Sequence, residues 1–190
     1  MMLQEKLKSE TAGSHTSLEQ LMFVNEIMQR TLTVAQYKTI LITNFAAHQQ
    51  YENAIYDKLS IPTKQALELE TRAKLPALQL DLKEADIQQA DFEDKLSKPI
   101  SNIPNEAFAL GAMYVLEGAT MGGSVIVKQL AKNENFNDHF SFHYYNCYHD
   151  QLMLKWKQFI QVLNSLPEEN HKDAIDGANF MFKVIADTAA

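Results

Sequence analysis

Hydrophobic residues recur along this chain at steps of three and four, the spacing of one helical face. No stretch shows the alternating Val/Ile/Thr pattern of a sheet strand. Leu3, Leu7, Thr11, Ser14/His15, Leu18 and Met22 share one stripe and predict a first helix from Leu3 to Met28, weakest at Gly13. Thr33-Val34-Ala35-Gln36 reads as a capping box opening a second helix that runs through Tyr37, Leu41, Phe45, His48 and Tyr51 to Leu59. Pro62 sits early in a third helix carrying Leu67, Leu69 and Leu75, with Pro76 beyond its end. Residues 80–102 are charged and irregular, with room for one short helix, and read as a long surface connection. Pro104 is expected to open a helix that ends near Ala131. Residues 133–146 carry no clear periodicity, whereas Gln151 to Leu163 is helical again. Ser165-Leu166-Pro167-Glu168 reads as a capping box for a last helix reaching the C-terminus. The expected fold is all-α, a multi-helical bundle forming a single domain over residues 1–190.

Composition narrows the function classes. Hydrophobic residues make up 46% of the 190, enough for a sizeable core, and the net charge is −7. That balance argues against nucleic acid and anionic membranes as partners, since both select clustered Lys and Arg. A lone cysteine, Cys147, excludes an internal disulfide and any cysteine-based metal cluster. The polar first residues lack the apolar run of a signal peptide, and a cytoplasmic setting is expected. Between Ala107 and Val127 the one charged residue is Glu117; its central position, with glycines, Thr120 and Ser124 close by, argues for a buried helix over a membrane span.

Two segments carry chemistry. Thr11, His15 and Glu19 are four residues apart and line one helical face. A neutral histidine binds iron through one ring nitrogen, and a carboxylate can fix the other; the same spacing also suits a solvated surface pair. Further on, Gly118, Gly122 and Gly123 interrupt an otherwise apolar helix. Each interior glycine costs a helix roughly 1 kcal/mol relative to alanine, so three within six positions call for a reason. Removed side chains let the backbone approach something flat and bulky and let the helix bend; close helix–helix packing is the competing explanation.

Taken together, Leu7-Lys8-x-x-Thr11-x-x-x-His15-x-x-x-Glu19 resembles the proximal helix of heme oxygenases. Tyr114-Val115-Leu116-Glu117-Gly118-x-x-x-Gly122-Gly123 resembles their distal helix, most like the bacterial branch associated with bacteriophytochromes. The resemblance extends loosely over the whole chain, Trp156 and Phe159 included, but its specific part lies in these two helices. It implies that heme is both cofactor and substrate, opened to biliverdin with release of carbon monoxide and ferrous iron. It implies His15 as the iron ligand and Glu19 as the carboxylate that tunes it. Lys8, with Lys155 or Lys157, would meet heme propionates, and Thr11, Gly118, Ala119, Gly122 and Gly123 would lie against the heme. The distal glycines would flex as ligands enter and steer attack to one meso carbon by steric control. Electrons would come from an external reductase or ferredoxin, because the chain shows no dinucleotide or flavin motif.

One position departs from the family pattern. Many members carry an aspartate directly after the first distal glycine, holding the water that delivers protons; here that residue is Ala119. The bacteriophytochrome-associated branch shares this departure. It leaves the proton route open, because Thr120, the nearest hydroxyl in sequence, points about 100° away around the helix. A heme-binding protein that stores, carries or senses heme without degrading it is the alternative, and a non-heme enzyme of the same fold is a third. The remaining candidates read as structural: His139 and His143 in a solvated aromatic loop, Glu168-x-x-His171 at a surface helix start, His48 as a core-edge histidine, and Cys147 as inert.

Overall fold

A computed structural model describes residues 1–96, 101–136 and 139–190, and among these it is built from helices without strands. The N-terminal stripe forms three short helices instead of the expected one: α1 (Leu3–Glu10), α2 (Ala12–Leu21) and α3 (Val24–Gln29). The bend after α1 falls at Thr11, whose hydroxyl donates to the Leu7 carbonyl at 2.7 Å, a back-bond that bends helices. The break before α3 falls at Phe23, held at φ 56°, and Gly13, the expected weak point, lies inside α2.

The long helix α4 (Val34–Lys58) opens as expected: Thr33 Oγ1 accepts from the Gln36 amide at 3.2 Å, and Gln36 answers by accepting from the Thr33 amide. Pro62 sits in the first turn of α5 (Ile61–Leu67), capped by Ser60. Pro76 does not lie past a helix end; it occupies the first turn of α6 (Leu75–Glu84), where its missing N–H costs nothing. The stretch after Leu80 is no surface connection. Its residues Leu82, Ala85, Ile87 and Phe92 are buried, and α7 (Glu93–Leu96) follows; residues 97–100 fall outside the described part.

Helix α8 (Glu106–Leu130) begins two residues after Pro104, at an Asn105 cap that accepts from the Phe108 amide at 2.9 Å. It is long and apolar enough to cross a membrane by length and composition. In the structure it is the central helix, packed by α4, α9 (Leu152–Asn164) and α10 (His171–Ala189). Its closest neighbour is α10. A Cβ at Gly111 would collide with the Ala174 backbone, and one at Gly177 with the Phe108 backbone, so the two main chains touch with only hydrogen between them. The anticipated cap at Ser165 does not form: its hydroxyl donates backward to the Val162 carbonyl, and a turn at Glu168–Asn170 precedes α10.

Two apolar clusters make the core. One joins α1, the end of α4, α5, α8, α9 and α10, around Leu7, Ile55, Met113, Phe159 and Met181. The other joins α3, the start of α4 and α6 to the aromatic segment after α8, around Tyr37, Leu78, Phe142 and Tyr144. Helices α4 and α8 run through both and so fix the walls of the cleft described next.

Candidate active site

A cleft lies between α2 and the middle of α8. Its two adjoining lobes, about 410 Å³ and about 390 Å³, share His15, Gly118 and Ala119. Tyr114, Val115, Trp156 and Phe182 give the first lobe an apolar lining, with Lys8 and Thr11 at its α1 end. Met22, Met28, Gly122 and Ile126 line the second, together with Asn44 and Tyr144.

The α2 wall carries His15, its side chain 61% exposed, with Nδ1 3.5 Å from Glu19 Oε2 and the ring set edge-on to Phe182. That distance leaves room for Glu19 to orient the ring directly or through water. Among the described residues none hydrogen bonds to His15 Nε2. On the opposite wall, a Cβ at Gly118 would meet nothing within 4 Å, and one at Gly122 would make ordinary contact with Ile126 at 3.8 Å. None of the six glycines has positive φ, so these positions serve space and not backbone conformation.

Lys8, Thr11, His15, Glu19, Gly118, Ala119 and Gly122 are therefore gathered around one cleft. Gly123 and Lys155 are not. Gly123 turns away, and a Cβ there would strike the Tyr145 carbonyl; it is a packing glycine between α8 and the segment behind it. Lys155 is buried on the far side of α9, its Nζ 2.6 Å from both Glu68 Oε2 and Thr71 Oγ1. The i, i+1 step along α9 explains this, because Trp156 takes the cleft-facing direction. Thr120 is buried and donates to the Glu117 carbonyl at 2.7 Å, so its hydroxyl serves the helix.

Behind the distal wall lies a charged cluster that sequence reasoning missed. Glu117, 1% exposed, accepts from Arg72 Nη1 at 2.9 Å, from Lys74 Nζ at 2.6 Å and from the Tyr148 hydroxyl at 2.8 Å. Burial pushes the Lys74 ammonium down, but Glu117, Tyr56 and Cys147 together outweigh it and leave Lys74 above its ordinary value. The available signal was Glu117 itself, a carboxylate in an apolar helix that needs a cationic partner. Its partners, on a turn more than 40 residues upstream, share no periodicity with it.

His48 is fully buried, not at a core edge, with Nδ1 2.6 Å from Glu52 Oε2. His143 pairs with Glu84 at 3.0 Å, beside Asp81. Both Asp81 oxygens accept backbone N–H groups, from His143 at 2.7 Å and Tyr144 at 2.8 Å, pinning the aromatic segment to α6. Cys147 is pushed up to about 11 by burial, which keeps the thiol protonated and unreactive.

These helices and this cleft define an all-α protein with a mostly apolar slot between a histidine wall and a glycine wall. The heme oxygenase family model matches residues 1–188, and the chain belongs to that family. Over 113 residues it is 32% identical to a heme oxygenase of Xanthomonas campestris pv. campestris (strain 8004), a stretch covering 58% of this chain and 64% of that one. Its fold is similar to that of the heme oxygenase of Leptospira interrogans (TM-score 0.76, 16% identity, 100% of this chain and 98% of the other). It is also similar to the Neisseria meningitidis heme oxygenase solved with NO and CO bound (TM-score 0.73, 22% identity, 100% and 92%). Heme oxygenase-1 of Synechocystis sp. PCC6803, solved in complex with heme, matches with TM-score 0.69 at 19% identity, over 100% and 91%. At these identities the structural likeness bears on the fold.

Proposed function

We propose that this chain is a heme oxygenase: it binds heme between α2 and α8 and opens the ring to biliverdin, releasing carbon monoxide and ferrous iron. The observation that carries the reading is the pairing of an exposed imidazole, His15, with the open backbone of Gly118 across one slot. A flat, apolar, anionic ligand suits that slot. The walls are aromatic and aliphatic, a side chain at Gly118 would project into the space the ring needs, and Lys8 stands at one end to meet a carboxylate. Bound heme supplies the redox chemistry and is itself the substrate.

In this reading His15 holds the iron through Nε2, and Glu19 sets the tautomer and basicity of that imidazole. Gly118, Ala119 and Gly122 keep the opposite face clear and limit from which side the ring can be reached. Thr11 completes the floor beside Lys8. Residues 1–190 act as one heme-oxygenase-like domain in the cytoplasm, fed electrons by an external reductase or ferredoxin. Ala119 after the first distal glycine supports assignment to the bacteriophytochrome-associated branch.

Ala119 also favours a second reading, a heme binder that does not degrade its ligand, since no acid stands at that position. One experiment separates the two. Heme is titrated into the protein, a reductant and oxygen are added, and the Soret band is followed. Its decay to a biliverdin spectrum supports the oxygenase; a stable Soret band under those conditions supports the binder; no heme binding at all overturns both.

A further inference from the structure

Ala119 leaves the α8 wall without an acid, and Thr120 is turned inward, but the floor of the second lobe is not inert. Asn44 and Tyr144 line it, and a hydrogen-bonded file leads back from them. Asn44 Oδ1 accepts from the Tyr144 hydroxyl at 3.2 Å. That hydroxyl lies 3.3 Å from His48 Nε2, and His48 Nδ1 lies 2.6 Å from Glu52 Oε2. Glu52 is held from behind by the Lys74 backbone N–H at 3.0 Å.

The protons in this file do not balance when His48 is neutral. Its ring then carries one proton, on Nδ1 toward Glu52, and Nε2 is a bare acceptor. The single Tyr144 proton then has two acceptors, Nε2 and Asn44 Oδ1, and can satisfy one of them. One added proton resolves the conflict: imidazolium Nε2–H donates to the phenol oxygen, and the phenol donates to Asn44. His48 is 0% exposed and does not line the cleft, whereas Tyr144, 1% exposed, does, so Tyr144 is its link to the second lobe.

We propose that His48, backed by Glu52, is an acid–base group for the cleft that acts through the Tyr144 hydroxyl, in place of an acid at position 119. His48 and Glu52 are positioning residues here, since neither touches the ligand. The proposal rests on the heme oxygenase reading. In the forward step the Nε2–H bond of His48 breaks and its proton passes to the Tyr144 oxygen. The original hydroxyl proton of Tyr144 leaves its hydrogen bond to Asn44 Oδ1 and passes to water in the cleft, giving a protonated water, a neutral Tyr144 phenol and a neutral His48 imidazole; the reverse step reloads the store from cleft water.

The surroundings suit a group that gives up its proton readily. Burial lowers His48, Glu52 and the more distant Glu117 raise it, and Lys74 lowers it, with a net fall. Burial and neighbouring anions push the Tyr144 phenol well up, so it conducts a proton without being lost as phenolate.

The test has two arms. Ring nitrogens of His48 are followed by ¹⁵N NMR through a pH titration of the protein alone. Tyr144→Phe, which deletes one hydroxyl and the acceptor for imidazolium Nε2–H, should lower the His48 transition by about one pH unit. An unmoved transition overturns the proposal, whatever the protein does with heme. In the second arm heme is added and its affinity and reductant-driven consumption are measured in H₂O and D₂O. Tyr144→Phe and His48→Gln should, once loaded with heme, degrade it about tenfold more slowly than the loaded wild type and change the solvent isotope ratio. Wild-type rates and isotope ratio in both variants overturn the relay. Wild-type protein that fails to bind or degrade heme overturns the heme oxygenase reading instead, and the NMR arm still decides the coupling. His48→Gln alters a buried pair, so Tyr144→Phe keeps the test valid if that variant does not fold.

Discussion

Helices α2 and α8 face each other across one cleft and are held in opposite ways. None of the ten residues of α2 is buried and only Leu18 packs against the core, so its sequence carries little core duty and its polar face is available for a ligand. Twelve of the 25 residues of α8 are buried, so its cleft residues share a helix with the centre of the core. The comparison teaches that damage should separate along the same line. Substitutions on α2 should alter ligand chemistry at constant stability, while those on α8 should alter stability unless they fall at the two open glycines.

The largest effect expected is at Glu117. Glu117→Ala strands the Arg72 and Lys74 charges in the interior and should cost about 3–5 kcal/mol in urea unfolding. A loss below about 1 kcal/mol would mean that the cluster is solvated and the distal wall is not anchored as described.

Next comes the backing of the distal wall, where stability depends on pH. Burial raises Asp81 from 3.8 to about 6, against the pull of its two backbone donors. A group raised in the folded state contributes stability that is fully present below pH 3.8 and is lost as pH rises through about 6. That loss amounts to at most about 3 kcal/mol. Unfolding measured from pH 4 to 7 should show wild type losing ground to Asp81→Asn over that window; parallel curves would remove Asp81 from the account.

The glycines sharpen the comparison within α8 itself. Gly123→Ala drives a methyl into the Tyr145 carbonyl and should cost about 1–3 kcal/mol. Gly118→Ala meets no atom and should leave the heme-free thermal midpoint level or raised by up to about 1 kcal/mol of helix propensity, while heme affinity falls. Gly122→Leu belongs with Gly118: a heme-free midpoint near wild type, with binding or turnover sharply reduced. If the ligand-free Gly118 and Gly122 variants are strongly destabilised and their folded fraction handles heme normally, both glycines are packing devices.

The smallest change in stability is expected on α2. His15→Ala should stay within about 0.5 kcal/mol of wild type and abolish histidine ligation in the heme spectrum. Glu19→Ala should keep heme and shift the iron–histidine stretch or slow turnover by about 10–100-fold. An unchanged spectrum and rate in His15→Ala would remove His15 from the reaction.

The same contrast explains what was legible in the sequence. The cleft walls could be read because their residues recur at fixed helical steps: Thr11, His15 and Glu19 on one side, Gly118 and Gly122 on the other. The all-α fold and the Thr33 cap followed from local periodicity and local hydrogen bonding. Gly123 could not be told from Gly122, because adjacent glycines look alike until the helix is rotated against its neighbours. Lys155 was misplaced for the same reason, one residue from the cleft-facing Trp156. Pro76 marks a helix start as readily as a helix end, and a phase break such as Phe23 has no local signature because left-handed backbone favours glycine, which Phe23 is not. The contacts of Glu117 with Arg72 and Lys74, and of His48 with Tyr144, join residues 43 to 96 apart, and chain order alone does not pair them.

The backbone contacts of α8 have a mechanical consequence. Gly111 is clamped on α10, Gly123 rests on the Tyr145 carbonyl, and between them Glu117 is tied to Arg72 and Lys74, so the back of the helix is held along this stretch. Gly118 and Gly122 lie within this stretch on the cleft side, where each leaves the wall without a side chain. A wall held from behind and bare in front makes room for a guest without loosening the bundle.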